Sequence, residues 1–292
     1  MDINISPIFY MGNKKKLIQK GLIELFPDDI DLFVDLFAGS GIVSMNVQAK
    51  EYVLNDINKH CFELYNIFKK NNPDEIISHI ENRINEYGLA KERTKRNQYK
   101  DKQKLDEYKI AYMEFRDYYN KNKHSLDFVT LMFFAFSQQF RFNRNGTFNM
   151  PMGNDCFSEK NKKYIHNGCD FFSKSNVSVR NEDFLESINW VSRKNDFVYL
   201  DPPYYGTNAT YNENNDWGIK DENKLLEYCE MLNKNGFNWG MSNIFSHKGK
   251  QNTHLIEWCD KNGWSVYRFD NFSYMACGKG NCNAEEVYIC NY

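Results

Sequence analysis

Residues 198–207, VYLDPPYYGT, place a carboxylate, two prolines and two tyrosines directly behind an apolar run. Proline fixes φ at about −65° and drives its predecessor into extended geometry, so Asp201-Pro202-Pro203 holds the chain out from the end of its strand. Neither proline has an N–H, so local turns tie up this corner poorly and leave the carbonyl of Pro202 to accept a bond from a substrate. A carboxylate and a carbonyl side by side suit an NH₂ group. The exocyclic amine of a nucleobase is a poor nucleophile because its lone pair is delocalised into the ring. Two acceptors gripping its two hydrogens draw it toward tetrahedral geometry and steer the lone pair at an electrophile. Tyr204 offers a flat face on which the base can stack, an interaction worth roughly 1–3 kcal/mol. The competing explanation is a proline-stiffened corner with packed tyrosines.

A second constellation lies upstream. FAGSG, residues 37–41, supplies Gly39 and Gly41 where a backbone must turn sharply and approach a ligand closely, although Ser44 stands where a full G-x-G-x-x-G would have its last glycine. Asp56 closes YVLND, residues 52–56, one βα unit later. An acid there is placed as in Rossmann-type folds to hydrogen-bond ribose hydroxyls, which points to a nucleoside-bearing cofactor. These residues do not choose between a dinucleotide and S-adenosylmethionine.

Strands must deliver both sites. DLFVDL (31–36) and YVLND (52–56) read as parallel strands, with IVSMNVQA after the glycine turn continuing as a crossover helix, and INKHCFELYNIFKK has helical spacing. The βα alternation then lapses between about residues 70 and 175, in charged helical sequence that looks inserted. It contains SLDFVTLMFFAFSQQF, a largely buried helix, and FRFNRNGTFNMP, whose Asn145-Gly146 suits the positive φ angles of a tight hairpin turn. Alternation returns with NVSVRNEDF, DFVYLDPPYY, a helix in DENKLLEYCEMLNKNG, and FNWGMSN. WSVYRFDNFSYMACG and EEVYICNY close the chain as strands, joined through residues 278–283.

The totals bound the class. At 292 residues, 41% hydrophobic and 16% aromatic, the chain has material for one large core or two modest ones. No window approaches the roughly 18–20 apolar residues of a membrane span. The N-terminus lacks a secretion-signal layout, so the expected location is the cytoplasm. Eight scattered cysteines in so long a chain read as reduced thiols. Cys277, Cys282 and Cys290 lack a C-x-x-C pair or a nearby histidine, and the histidines have no repeated spacing, so no metal site is expected. A net charge of −2 excludes a uniformly basic coat, yet Lys91–Lys123 carries eleven Lys/Arg against six Asp/Glu. Ser242-Asn243 is read as a strand-end cap.

FYMGNKKKL, FVDLFAGSG, YVLNDIN, RFNRNGTFNMPMG and VYLDPPYYGT, in this order, resemble the Dam-like DNA adenine-N6 methyltransferases, which use S-adenosyl-L-methionine. The resemblance covers nearly the whole chain, least between about residues 70 and 130. It implies an α/β fold: the Rossmann-like doubly wound sheet of a class I methyltransferase, discontinuous over residues 1–69 and 175–292. A helical and β-hairpin target-recognition domain is inserted at 70–174. By this resemblance Tyr10 and Lys14 lie against the cofactor, the lysine near its carboxylate. Asp35, Phe37, Ala38 and Gly39 hold its methionine moiety, Asp56 its ribose, and Ile57 packs on its adenine beside Asp183-Phe184. Asp201, which also borders the cofactor, forms the catalytic corner with Pro202 and Tyr204. Arg141, Phe142, Asn143, Arg144 and Asn145 belong to a DNA-reading hairpin that supplies phosphate contact, base-edge readout and an aromatic at the gap left by a flipped base.

The implied partner is double-stranded DNA, with a cognate restriction endonuclease, a monomeric state and a bacterial or phage origin as further expectations. GATC is the family-level guess for the site. The alternatives are a cytosine-N4 or RNA amino-methyltransferase, a dehydrogenase, and a non-enzymatic DNA-binding regulator.

Overall fold

The structure is a computed structural model that describes residues 2–94, 101–205, 217–247, 249–273 and 283–292. Its centre is a set of parallel strands: β1 (Leu32–Asp35), β2 (Glu51–Asn55), β3 (Val177–Arg180), β4 (Phe197–Leu200) and β5 (Asn238–His247). Every residue of β1 and β4 is buried. Strands covered on both faces have no polar side to show, which is why they read as unbroken apolar runs. β6 (Lys250–Gln251) extends β5, while β7 (Ser265–Ser273) and β8 (Asn283–Cys290) close the sheet in antiparallel pairing. The order β3-β2-β1-β4-β5-β8-β7 is that of a Rossmann-like doubly wound sheet. The chain winds outward from β1 to β3, then returns to start again at β4 beside β1, so the carboxyl ends of β1 and β4 flank the switch point where such sheets bind ligands.

Helices cover both faces. α1 (Lys15–Gln19), α2 (Lys59–Lys70) and α6 (Glu159–Phe172) lie with α3 (Pro73–Tyr87), α4 (Lys102–Asn122) and α5 (Ser125–Phe134) around one core, shared with Phe33, Tyr52 and Leu54 of the sheet. α7 (Ile219–Lys234) and α8 (Thr253–Asn262) form the other core with Val34, Val198, Leu200 and Trp239. α3 starts as its sequence dictates, on an Asn72/Glu75 capping box with Pro73 in the first turn, and stops at Gly88 in the left-handed region (φ 74°). α5 is buried from Asp127 to Phe134, and its aromatic and aliphatic side chains contribute about 1.5–3 kcal/mol each by burial.

Two expectations are corrected. Residues 42–49 are not a helix: the chain makes one open turn, with Met45 N–H donating to the Gly41 carbonyl and Val47 N–H to that of Val43. Only nine residues separate Gly41 from β2, β-branched Ile42-Val43 is a weak start, and the Asn46 side chain donates to the Ile42 carbonyl (2.7 Å) in competition with a ladder. Ser242 and Asn243 do not cap a strand end either. They are buried inside β5, whose ten residues run past them.

Candidate active site

The catalytic corner is built by register. β1 and β4 pair so that Asp35 lies opposite Tyr199, and the Leu36 N–H donates to the Tyr199 carbonyl (3.0 Å). Asp35 therefore ends β1 where Asp201 leaves β4, both at the carboxyl edge. Lys14, just ahead of α1 and only 6% exposed, reaches into this edge. Its ammonium sits 2.7 Å from Asp201 Oδ2, donates to the Gly12 carbonyl (2.9 Å) and lies 5.2 Å from the centre of the Tyr204 ring. Burial raises the Asp201 carboxyl above its ordinary range, and Lys14 and Tyr204 pull it only part of the way back. Beneath it, the Tyr199 and Ser242 hydroxyls share a hydrogen bond (2.6 Å).

The glycine turn is held on every side. The Gly39 N–H donates to Asp56 Oδ2 (2.8 Å), the Tyr65 hydroxyl donates to the Gly39 carbonyl (2.7 Å), and the Ala38 N–H donates to the Asn55 carbonyl (2.9 Å). Gly39 has φ 50°, and a Cβ there would meet the Tyr10 ring at 2.9 Å, so glycine is required both for the turn and for the close approach. Asp56 Oδ1 accepts from the Asn58 N–H (2.8 Å). Burial pushes Asp56 up to about 6, against the two amides that hold it. Asp35 is pushed up to about 7, first by burial and then by the charges of Asp201 and Asp56, against the hydrogen bond that Ser44 donates to its Oδ2 (2.7 Å). Among the described residues its other oxygen, Oδ1, is buried with no hydrogen-bond partner. Ile57 is 68% exposed beside Asp56. Phe37 packs on Phe184 (5.6 Å) and Trp217 (6.0 Å), while Asp183 is exposed and accepts from the Leu185 N–H (3.0 Å) as the cap of a short 3₁₀ turn.

The hairpin forms, with a different turn from the expected one. Its strands meet at a single bridge, Phe142 to Phe148, and only Gly146 has positive φ (70°), not Asn145. The Gly146 N–H donates to the Asn143 carbonyl (2.9 Å), and Asn143 Oδ1 accepts from the N–H groups of Asn145 and Thr147. Asn143 thus builds the turn, and Arg144 and Asn145 are left exposed at the tip. Arg141 is exposed and donates to Asn149 across the hairpin (2.8 Å). Phe142 faces inward: it stacks on His60 (3.6 Å, 11°) and meets Phe128 and Phe148 edge-on. Within this fold it anchors the hairpin instead of offering a ring to a gap in a duplex. Phe136 is 49% exposed and is followed by Ser137 and Gln138, both at φ 55°. Two consecutive non-glycine residues in the left-handed region store strain that the surrounding structure must hold.

Several contributors escaped the sequence reading. Ser44 on Asp35, Tyr65 on Gly39 and Lys14 on Asp201 are set by packing over distances that no motif spans. Asn58 carries a signal that helix-capping preference could have caught, since it precedes α2 and accepts from the His60 N–H (3.0 Å). His79, His124 and Asp127 place ligand-type atoms within 4.8 Å of one another, a grouping that linear spacing did not suggest. Arg83 and His79 already hold Asp127 Oδ1 at 2.8 and 2.7 Å. Burial raises Asp127, those bonds more than offset it, and its charge is balanced without an ion. In the basic run, Lys104 pairs with Glu92, Lys109 with Asp106 and Arg93 with Asp155. Residues 95–100 of that run, Gly206-Thr207 of the proline corner, and Cys277 and Cys282 lie outside the described residues. The six described cysteines are free thiols.

The family model of D12 class N6 adenine-specific DNA methyltransferases matches residues 10–268. Type II methyltransferase M.FokI of Planomicrobium okeanokoites is 37% identical over 295 residues, covering 98% of this chain and 43% of the relative. Modification methylase StsI of Streptococcus sanguinis is 34% identical over 297 residues, again 98% of this chain and 43% of the relative. The DNA adenine methylase of Escherichia coli (strain K12) is 25% identical over 213 residues, 69% of this chain and 68% of that one. The chain therefore spans less than half the length of the first two relatives.

Proposed function

The chain belongs to the D12 class of N6 adenine-specific DNA methyltransferases, and from that premise we propose that it methylates the N6 amine of an adenine flipped out of duplex DNA, with S-adenosyl-L-methionine as methyl donor. The observation that carries this reading is a pair of carboxylates at adjacent strand ends: Asp201, gripped by a lysine, and Asp35, with a buried oxygen lacking a partner. Leaving such an acceptor unmatched costs about 1–3 kcal/mol. A ligand ammonium removes that cost, so the residues present fit the donor. Asp35 would take its ammonium and Asp56 its ribose hydroxyls, with the backbone at Phe37, Ala38 and Gly39 along the methionine chain and Ile57 and Phe184 beside the adenine. Tyr10, against Gly39, closes the same turn. When bound, the donor supplies a sulfonium-activated methyl group, so no covalent enzyme intermediate is required.

The protein's own share is positioning. Asp201 and the Pro202 carbonyl take the two N–H groups of the amine and hold its lone pair toward the methyl group, and Tyr204 stacks on the base. Lys14 offsets part of the cost of burial on Asp201 and so favours its carboxylate form. The amine proton turns acidic as the new N–C bond forms, and Asp201 is the acceptor nearest to it. Flipping costs a few kcal/mol of stacking, which contacts from the insert (70–174), Arg144 and Asn145 among them, would offset. The names of the relatives M.FokI and StsI favour a place in a restriction-modification pair, with a cognate endonuclease as the partner activity. Among the described residues no helix is long and apolar enough to cross a membrane.

The test is product identity. DNA treated with the chain and labelled donor, then digested to nucleosides, is expected to yield N6-methyladenine; label in N4-methylcytosine, or none at all, overturns the reading. Asp201→Ala should reduce transfer at least about 100-fold, the scale of losing one preorganised stabilising group, with the melting transition retained.

A further inference from the structure

We infer that His60 is a positioning residue through which the bound cofactor sets the pose of the DNA-reading hairpin; this rests on the methyltransferase reading above. Both oxygens of Asp56, the proposed ribose ligand, are held by backbone amides, one from Gly39 and one from Asn58. Asn58 in turn caps α2 by accepting from the His60 N–H, and its side-chain amide donates to the Tyr10 hydroxyl (3.4 Å). His60 is the second residue of α2. Its ring is the floor on which Phe142 lies, centroids 3.6 Å apart and planes 11° apart, with Phe128 edge-on at 6.0 Å. Tyr10 makes a parallel link, its ring tilted on Phe140 at 5.7 Å. Two residues of the hairpin strand thus rest on two side chains tied to the Asp56 corner.

The hairpin depends on these supports. It has one ladder bridge of its own, and an isolated two-stranded hairpin is marginal in water. A ligand that fixes Asp56 and Asn58 fixes the first turn of α2, hence the plane of His60 and the seat of Phe142. The same link runs backward, since coupling between two binding sites is reciprocal: DNA that fixes the hairpin tightens the cofactor corner by the same factor. One stacked aromatic pair carries roughly a two- to tenfold effect, and that is the coupling expected through His60.

The experiment titrates a duplex bearing the methylated site into the full chain, with and without S-adenosylhomocysteine as a non-reactive probe, and titrates the probe with and without the duplex. Wild type should show equal enhancement in both directions. His60→Ala should lose most of it while changing the affinity for the probe alone by less than twofold, and His60→Phe, which keeps a flat ring without the imidazole, should restore it. A double-mutant cycle with Phe142→Ala should show the two residues acting as one unit. A wild type that methylates DNA but has the same DNA affinity with and without the probe overturns the coupling and leaves the enzymatic reading standing; so does a folded His60→Ala variant with wild-type coupling. If His60→Ala does not fold, a loss of coupling in folded His60→Phe overturns the stack as its carrier. A wild type that methylates no duplex overturns both readings.

Discussion

Asp35 is the residue whose chemistry can be read most directly in solution. Its pKa is raised to about 7 by burial and by the charges of Asp201 and Asp56, and its Oδ1 has no hydrogen-bond partner among the described residues. Because the folded chain binds this proton more tightly than the unfolded one, the contribution of Asp35 to stability without ligand is fully present below the ordinary carboxylate range near 4. It declines as pH rises through about 7. A ligand ammonium needs the ionised form, so donor affinity should climb between pH 6 and 7.5, with proton release, then level off as the ligand's own α-amino group, near 8, begins to titrate. Calorimetry in two buffers of different ionisation enthalpy measures the released proton. Asp35→Asn should flatten the pH slope and weaken binding by about 1.5–3 kcal/mol, the worth of a charge-assisted hydrogen bond; an unaltered slope would count against Asp35 as the ammonium site. Asp201 was legible as an acid at a strand end, and Asp35 through the family resemblance. Lys14 on Asp201 was not, because only the packing of α1 at the carboxyl edge brings residues 14 and 201 together.

At the scale of elements, the hairpin is held from outside. Asn120, near the end of α4, acts as a substitute strand residue: its amide donates to the Phe148 carbonyl (3.0 Å) and its oxygen accepts from the Phe148 N–H (2.8 Å). Lys123, left-handed at φ 55° past the end of that helix, donates to the Gly146 carbonyl (2.7 Å). Asn120→Ala strips both backbone groups of Phe148 of their partner and should cost about 1–3 kcal/mol of stability. Because the tip residues Arg144 and Asn145 are then less well fixed, discrimination between cognate and altered sites should fall more than affinity for random duplex. Competition binding with the two DNA types measures that ratio, and an unchanged ratio would make Asn120 a packing residue alone. The sequence announced a hairpin through Asn145-Gly146, yet its turn is set by the Asn143 side chain, and the inward placement of Phe142 follows from what it packs against.

For the whole molecule, the proposed function asks how a chain of net charge −2 would hold a polyanion. Part of the basic run is neutralised internally, through Lys104, Lys109 and Arg93. Lys102 and Lys121, at opposite ends of the 21-residue α4, and Arg144 at the hairpin tip stay exposed. At 1.5 Å per residue that helix spans roughly 30 Å, enough to follow a duplex backbone past the reading hairpin. Reversing these three to Glu should lower the slope of log affinity against log salt by about 0.9 for each phosphate no longer neutralised. Filter or fluorescence binding from 50 to 200 mM salt resolves such a change, and an unmoved slope would identify α4 as an ordinary solvated face.

By itself the sequence determined the strands, the glycine turn and the acids that follow β2 and β4, because each depends on local periodicity or on backbone limits that glycine and proline set. Tertiary structure alone decided the rest. Residues 42–49 lost their helix to a short connection with competing side-chain bonds. The lysine at 14 went to Asp201, Phe142 went to His60, and Asp127 went to His79 and Arg83. The last three outcomes depend on which surfaces meet when the two cores close, and burial makes each choice costly to leave unpaired.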